Sequence, residues 1–240
     1  MLKNPSSTYQ FSINSYDADS KGRMPLYKLF HYLQEAAYLN AESNGFGYEF
    51  LEKEKAYWVL VRVMVRIDQY PRWNDEIAIK TWPRGAHGLF AVRDFEISQG
   101  NKVIGSVSTY WMILDKDSRR PKPIHDYAFV KSDFLKDRAI HKDLDKILIE
   151  GESQLVDQRK VYSSDIDVNA HVNNATYIKW VMDAYYEKND GQVKEIEVNF
   201  IGELFPGEQF SIEESILPAK HYYMIKNNKG RDVTRVRVLF

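Results

Sequence analysis

Ser164 to Tyr186 reads S-D-I-D-V-N-A-H-V-N-N-A-T-Y-I-K-W-V-M-D-A-Y-Y, and this stretch decides how the chain is organised. In its first half a polar residue stands at every second position. Alternate side chains of an extended segment point to the same side, so this spacing predicts a strand or loop with one polar face and one apolar face. The polar face would hold Asp165, Asp167, Asn169 and His171, and the apolar face Ile166, Val168, Ala170 and Val172.

From Asn173 onward the apolar residues follow the period of a buried helix. They are Tyr177, Ile178, Val181, Ala184 and Tyr185. Asn173 and Asn174 stand just before this stripe and can cap the helix by accepting bonds from its first N–H groups. Free N–H groups at a helix N-terminus favour negative charge, so the polar segment leads into a place where an oxyanion could form.

Asp167, Asn169 and His171 combine a carboxylate, an amide and an imidazole, which together suit proton transfer and hydrolysis. His171 can exchange a proton near neutral pH, as imidazoles do. Asn169 could donate its amide to an oxygen or hold the imidazole in place. Asp167 could orient His171, activate a water molecule or attack as a nucleophile, and the residues alone leave these roles open.

The ten residues Asp165–Asn174 match throughout the signature D-x-D-V-N-x-H-V-N-N. On this motif the chain resembles the acyl-acyl-carrier-protein thioesterases. The resemblance implies an α+β fold made of two tandem hot-dog folds, each a long central helix wrapped by a curved antiparallel sheet, joined as a pseudo-dimer in one chain. It also implies hydrolysis of acyl-carrier-protein thioesters to free fatty acid and carrier protein, the step that ends chain elongation.

The resemblance adds a fourth candidate catalytic residue, Glu203. In this family a Glu-Cys pair follows the motif, and the matching residues here are Glu203 and Leu204. The chain contains no cysteine, so a scheme with a thiol nucleophile does not apply, and a scheme with carboxylate and imidazole does. First-half segments that also look like this family are Trp58-Val-Leu, Tyr70-Pro-Arg-Trp, Thr81-Trp-Pro-Arg-Gly and Arg93-Asp-Phe.

The first half of the chain predicts one strand, one helix and then four strands. Alternating polarity indicates a strand at Tyr9–Tyr16, and an apolar stripe indicates a helix at Leu26–Ala41. The later strands are predicted at Trp58–Ile67, Glu76–Trp82, Leu89–Ser98 and Val103–Leu114, the last two as a hairpin. This order is the hot-dog pattern.

The second half repeats the first when Asp17 is set on Asp165. Asp19 then falls on Asp167, whereas Lys21 and Arg23 stand where the second half has Asn169 and His171. We therefore predict an N-terminal hot-dog over residues 1–115, a linker over 116–157 with a helix at 134–148, and a catalytic hot-dog over 158–240. The basic linker residues Lys116, Arg119, Arg120 and Lys122 could meet an acidic carrier protein, or simply be solvated.

The helix of the first half is expected to line a tunnel for the acyl chain. A fatty tail needs apolar surroundings, and each buried methylene contributes about 0.8 kcal/mol. The residues predicted to bind the chain are Leu29, Phe30, Leu33 and Ala37. They lie in the half without the catalytic groups.

Composition and residue spacing exclude several classes of ligand and partner. The net charge of −1 gives no basic field for nucleic acid. Nowhere do 18 apolar residues run together, so we expect no membrane span and a cytoplasmic protein. The six His residues lack ligand spacing, so neither metal nor cofactor is expected. The expected partner is acyl carrier protein, and pairing of two chains into a homodimer stays open.

Three classes of function compete. Hydrolysis of acyl-carrier-protein thioesters is the first, and an acyl-CoA thioesterase or a hot-dog hydratase/dehydratase is the second. Dehydration needs a His and a carboxylate on opposite sides of the substrate, so the Asp-x-Asn-x-His series on one segment suits hydrolysis better. A non-enzymatic acyl-ligand sensor is the third, and the sequence offers no helix-turn-helix segment for it.

Overall fold

A computed structural model describes residues 2–127 and 137–240. These form two compact units that divide between Leu144 and Asp145, with Met64–Arg66 assigned to the second. Among the described residues, no helix is both long and apolar enough to cross a membrane. The domain limits drawn from the sequence stay predictions.

The first unit contains the strand, helix and four strands that the sequence predicts. Its elements are β1 (Ser7–Ser12), α1 (Leu26–Ser43), α2 (Tyr48–Lys53), β2 (Ala56–Ile67), β3 (Glu76–His87), β4 (Phe90–Gln99), β5 (Lys102–Asp115) and the short β6 (Pro121–Lys122). The strands lie in the order β1-β3-β4-β5-β2, with β6 paired to β5. Only Gly100 and Asn101 separate β4 from β5, so the predicted hairpin is confirmed.

Helix α1 buries the face that the apolar stripe predicts. Leu26, Leu29, Phe30, Leu33, Ala36, Ala37, Asn40 and Ala41 are all buried. The helix begins directly after Pro25, whose fixed φ suits a helix start. It ends before Gly45, which takes the left-handed conformation (φ +76°) that a side chain would disfavour.

The second unit repeats this arrangement. Its elements are β7 (Gln154–Lys160), α3 (Asn174–Tyr186), β8 (Glu195–Phe200), β9 (Gln209–Leu217), β10 (Lys220–Asn227) and β11 (Asp232–Leu239). The strand order is β7-β9-β10-β11-β8, which is the order of the first unit element for element. All five residues of the apolar stripe predicted for α3 are buried. Trp180, which lies outside that stripe, also packs on the sheet, with its ring 4.2 Å from that of Phe210. This repeat confirms the tandem hot-dog fold.

Residues 137–144 of the connection belong to the first unit and residues 145–150 to the second, and neither part contains a helix. The helix predicted over 134–148 is therefore wrong for residues 137–148, and residues 134–136 lie outside the described residues. In the first unit the Ala139 amide donates to Asp94 (2.9 Å). In the second unit the Ile147 amide donates to Asn199 (2.7 Å). Ile140, Leu144 and Ile147 are buried, and their i, i+4, i+7 spacing imitates a helix.

Candidate active site

The motif forms a tight turn in the second unit rather than an extended segment. The Asp167 amide donates to the His171 carbonyl (2.8 Å), and the Ala170 amide donates to the Asp167 carbonyl (3.0 Å). One carboxylate oxygen of Asp167 accepts the Asn169 amide (2.8 Å), the bond by which an Asp organises a turn. Ala170 takes the left-handed conformation with φ +61°. The predicted alternation of two faces is therefore wrong, because the chain reverses between Asp167 and His171.

The tip of this turn is exposed, and its two ends are partly buried. Val168 and Asn169 are exposed, whereas Asp167 and His171 are partly buried. The predicted apolar face does not form, since Val168 is fully open to solvent. Ile166 and Val172 instead pair across the base of the turn as an isolated bridge. The two ends of the motif thus meet at the base of the turn.

The start of α3 is capped as predicted. The Asn173 side chain accepts the Ala175 amide (2.9 Å), and Asn174 is the first helical residue. The Thr176 amide donates to the Asn173 carbonyl (2.8 Å), and the Asn173 amide donates to the Asp165 carbonyl (3.0 Å). These amides already have partners within the protein, so they are not ready donors for an oxyanion. The amide side chain of Asn169 is the more accessible donor.

Glu203 lies beside His171. Its Oε2 is 3.8 Å from Nε2 of the imidazole, and each side chain is about three-quarters buried (24% and 30% exposed). Glu203 belongs to the loop between β8 and β9, where the amides of Ile201 and Gly202 both donate to the Val233 carbonyl (2.8 and 3.0 Å). A carboxylate at this distance stabilises an imidazolium. The structure thus joins two candidates that the sequence separates by 32 positions.

The first unit contains the same turn without the same chemistry. The Asp19 amide donates to the Arg23 carbonyl (2.7 Å), and the Gly22 amide donates to the Asp19 carbonyl (2.9 Å). A carboxylate oxygen of Asp19 accepts the Lys21 amide (2.8 Å). Gly22 stands where the second unit has Ala170 and has the same sign of φ (+70°). Arg23 forms an ion pair with Asp19 (3.3 Å) in place of an imidazole beside a carboxylate.

The predicted substrate-binding residues lie in the first unit, apart from the turn in sequence. Leu29, Phe30, Leu33 and Ala37 are buried on one face of α1. This burial fits both a packed core and the lining of an acyl tunnel, so their role stays a prediction. Within the described residues, no group of three or more His, Asp and Glu side chains could hold a metal ion.

Sequence reasoning missed one residue next to the site, Tyr177. Its hydroxyl accepts the amide of Leu204, the residue directly after Glu203 (3.0 Å). Burial raises the pKa of Tyr177, and the negative charges of Glu203 and Glu208 raise this pKa further, so its hydroxyl stays protonated. Tyr177 stands in the apolar stripe predicted for α3, which indicates a core residue. Its partner Leu204 is 27 residues away, so no local pattern indicates the bond.

Two family models match the chain. The acyl-ACP thioesterase N-terminal domain matches residues 6–130, where ACP denotes acyl carrier protein. The acyl-ACP thioesterase C-terminal domain matches residues 150–240. Together they cover most of the chain, including the turn and Glu203.

Curated plant proteins are similar over most of the chain. The palmitoyl-acyl carrier protein thioesterase, chloroplastic, of Cuphea hookeriana is 28% identical over 190 residues, which are 72% of this chain and 45% of that protein. The oleoyl-acyl carrier protein thioesterase 1, chloroplastic, of Arabidopsis thaliana is 25% identical over 197 residues, covering 73% and 53%. The chain therefore spans about half the length of these relatives.

Solved structures match over the full chain. An acyl-ACP thioesterase from Bacteroides thetaiotaomicron has a TM-score of 0.89 and 26% identity, covering 99% of this chain and 98% of that one. The 12:0-ACP thioesterase from Umbellularia californica has a TM-score of 0.84 at 20% identity, covering 100% and 98%. The second likeness concerns the fold alone. Both comparisons extend over the two units.

Proposed function

This chain belongs to the acyl-ACP thioesterase family, and we propose that it hydrolyses acyl-ACP thioesters to free fatty acid and carrier protein. The observation that carries the proposal is the placement of His171 3.8 Å from Glu203, beside a turn that holds Asp167 and Asn169. A thioester carbonyl is electrophilic, so hydrolysis needs a base for water and a donor for the oxyanion. This site offers both.

In the proposed reaction His171 takes a proton from a water molecule as the water oxygen attacks the thioester carbon. The Glu203 carboxylate stabilises the imidazolium that forms. The side-chain amide of Asn169 donates to the oxyanion of the tetrahedral intermediate. Collapse of this intermediate breaks the carbon–sulfur bond, and the leaving thiolate receives the proton from His171. One carboxylate oxygen of Asp167 accepts a bond from the backbone amide of Asn169, and this bond holds the turn in shape.

The substrate in this proposal is a fatty acyl chain on a carrier protein, and its release ends chain elongation. The expected tunnel along Leu29, Phe30, Leu33 and Ala37 supports an apolar acyl group. The plant relatives are named for palmitoyl and oleoyl carrier-protein substrates. We also propose a cytoplasmic location. Whether two chains pair into a homodimer is a separate question, which the apparent mass in size-exclusion chromatography answers.

Steady-state kinetics on matched substrates tests the proposal. The purified chain is incubated with acyl-ACP and acyl-CoA over a series of chain lengths, with and without a metal chelator. We expect free fatty acid from acyl-ACP, a higher kcat/KM for acyl-ACP than for acyl-CoA, and no effect of the chelator. If fatty acid is released from acyl-CoA but not from acyl-ACP, the protein is an acyl-CoA thioesterase and the carrier-protein assignment is wrong. Addition or removal of water on an enoyl or hydroxyacyl thioester, without fatty acid release, would replace hydrolysis itself.

A further inference from the structure

Tyr177 is fixed beneath the loop that carries Glu203. The side chain is buried in the second unit. Its ring makes edge-to-face contacts with Trp180 (5.4 Å between centroids) and Phe200 (6.0 Å). Such contacts favour one ring orientation. The hydroxyl is therefore aimed at a fixed point, and that point is the Leu204 amide, 3.0 Å away.

The Leu204 amide belongs to the peptide group that joins Glu203 to Leu204. A peptide group is planar, so a bond that holds its N–H also restricts the backbone at Glu203. Leu204 itself is fully buried, which leaves its amide without solvent as an alternative partner. On the other side of Glu203, the amides of Ile201 and Gly202 are held by Val233. The backbone of Glu203 is thus fixed from both directions.

We propose that Tyr177 is a positioning residue for Glu203, which it holds at the distance from His171 that catalysis requires. This inference rests on the proposed function. Tyr177 acts through the peptide group and does not touch the reacting atoms. A displacement of about 1 Å in a catalytic group can lower a rate by roughly 100-fold. Loss of this one hydroxyl should therefore have an effect on turnover far larger than its effect on the fold.

The test compares Tyr177→Phe with Tyr185→Phe. Tyr185 is a matched control because it lies on the same helix, is equally buried, and donates its hydroxyl to a backbone group, the Gly191 carbonyl (3.3 Å). We expect Tyr177→Phe to lower kcat by 10- to 100-fold at unchanged KM. Tyr185→Phe should keep kcat within about twofold. Equal losses of kcat in the two variants would overturn the proposal.

A double-mutant cycle shows whether Tyr177 acts through Glu203. Adding Tyr177→Phe to Glu203→Gln should lower kcat by less than about twofold, because the group being positioned is already disabled. If the two losses multiply instead, Tyr177 has a different role and the proposal fails. A residue that only supports the fold would give multiplying losses.

Hydrogen exchange provides a readout that does not need activity, and its first part uses the unmodified protein alone. In the unmodified protein the Leu204 amide should exchange slowly, and fast exchange there would overturn the proposal. In Tyr177→Phe this amide should exchange at least 10-fold faster, whereas Tyr185→Phe should leave it unchanged. If the unmodified protein hydrolyses no thioester, the proposed function fails, and the exchange rates still decide whether Tyr177 holds the Glu203 loop.

Discussion

At the scale of single residues, the site differs from its copy in the first unit by few side chains on a common turn. Both turns are closed by the same backbone bonds, and in both an Asp side chain accepts the amide two residues later. The difference is chemical, because the second turn carries the imidazole of His171, whereas the first carries the guanidinium of Arg23, which pairs with Asp19.

Substitutions in the two turns should therefore have very different effects on turnover. We expect His171→Ala to lower kcat by about 10²- to 10⁴-fold, because the general base is lost. Asp167→Ala should lower kcat similarly, since the turn that presents Asn169 and His171 loses its organising bond. Arg23→Ala, the matched change in the first unit, should stay within a few fold. Steady-state kinetics with thermal denaturation checks this, and a loss in Arg23→Ala as large as that in His171→Ala would contradict it.

The sequence supplied the candidate residues of the site but not the backbone conformation that presents them. Polar residues at every second position indicate a strand when nothing else is known. Here the bond from the Asn169 amide to Asp167 and the left-handed Ala170 close a turn instead. Glycine at position 170 would have signalled such a conformation, as Gly22 does in the first unit, but alanine does not. The Tyr177–Leu204 bond spans two distant segments, so no local pattern indicates it.

At the scale of elements, the two long helices differ in what their buried faces are expected to contact. Ala36 of α1 and Ala184 of α3 occupy equivalent positions in the repeat, and both are buried. If α1 lines the acyl tunnel, a larger side chain at Ala36 takes space from the substrate, whereas the same change in α3 takes space from the core.

Ala36→Leu should shift the preferred acyl chain to one shorter by about two to three carbons, since it fills the space of roughly three methylenes. Ala184→Leu should lower the free energy of unfolding, by about 1–3 kcal/mol, without changing the preference. Fatty acid products from a mixed acyl-ACP pool measure the shift. An unchanged product profile in a folded Ala36→Leu protein would show that this helix face is only core.

The connection 137–150 is the element that the sequence misread most, because its buried apolar residues have helical spacing. It is held by a buried ion pair instead. Asp94 is fully buried and accepts bonds from Ser108 (2.7 Å) and the Ala139 amide (2.9 Å). Arg84 lies 2.9 Å from the same carboxylate. Burial raises the pKa of Asp94, so its ionised form depends on these partners.

Asp94→Asn should lower the free energy of unfolding by about 3–5 kcal/mol, because it leaves Arg84 as a buried and uncompensated charge. Asp143→Asn is the matched control. It makes the same chemical change at a carboxylate of the connection itself, but the pair of Asp143 with Arg138 is exposed, so this change should cost less than about 1 kcal/mol. Chemical denaturation measures the free energy of unfolding of both variants. Equal losses in the two variants would show that the buried pair contributes no more than the exposed one.

At the scale of the whole molecule, the described residues form one fold twice, and the candidate catalytic groups lie in the second copy. The amides of Asp68 and Gln69 both donate to the Ile104 carbonyl, as those of Ile201 and Gly202 donate to Val233, so the repeat places Tyr70 where the second unit has Glu203. The first unit therefore lacks the carboxylate partner as well as the imidazole. Strand order and turn geometry are common to both units, whereas the reacting groups are not.

Grafting the missing groups into the first unit should not create a second site. In a His171→Ala background, Lys21→Asn with Arg23→His should stay within a few fold of His171→Ala alone, because Tyr70 stands where the second unit has the Glu203 carboxylate. The measurement is fatty acid release at saturating acyl-ACP, with circular dichroism to verify folding. Recovery to a tenth of the original rate would show that the turn alone suffices for catalysis.

The repeated turn has a consequence for how this protein can change by mutation. In a dimer of identical subunits one codon specifies both copies of a residue, so every substitution enters both turns at once. Here codons 23 and 171 are separate, and the first turn can hold arginine while the second keeps histidine. Selection on the first unit can therefore change Arg23, Gly22 and Tyr70 without altering the residues that the second unit needs for its chemistry.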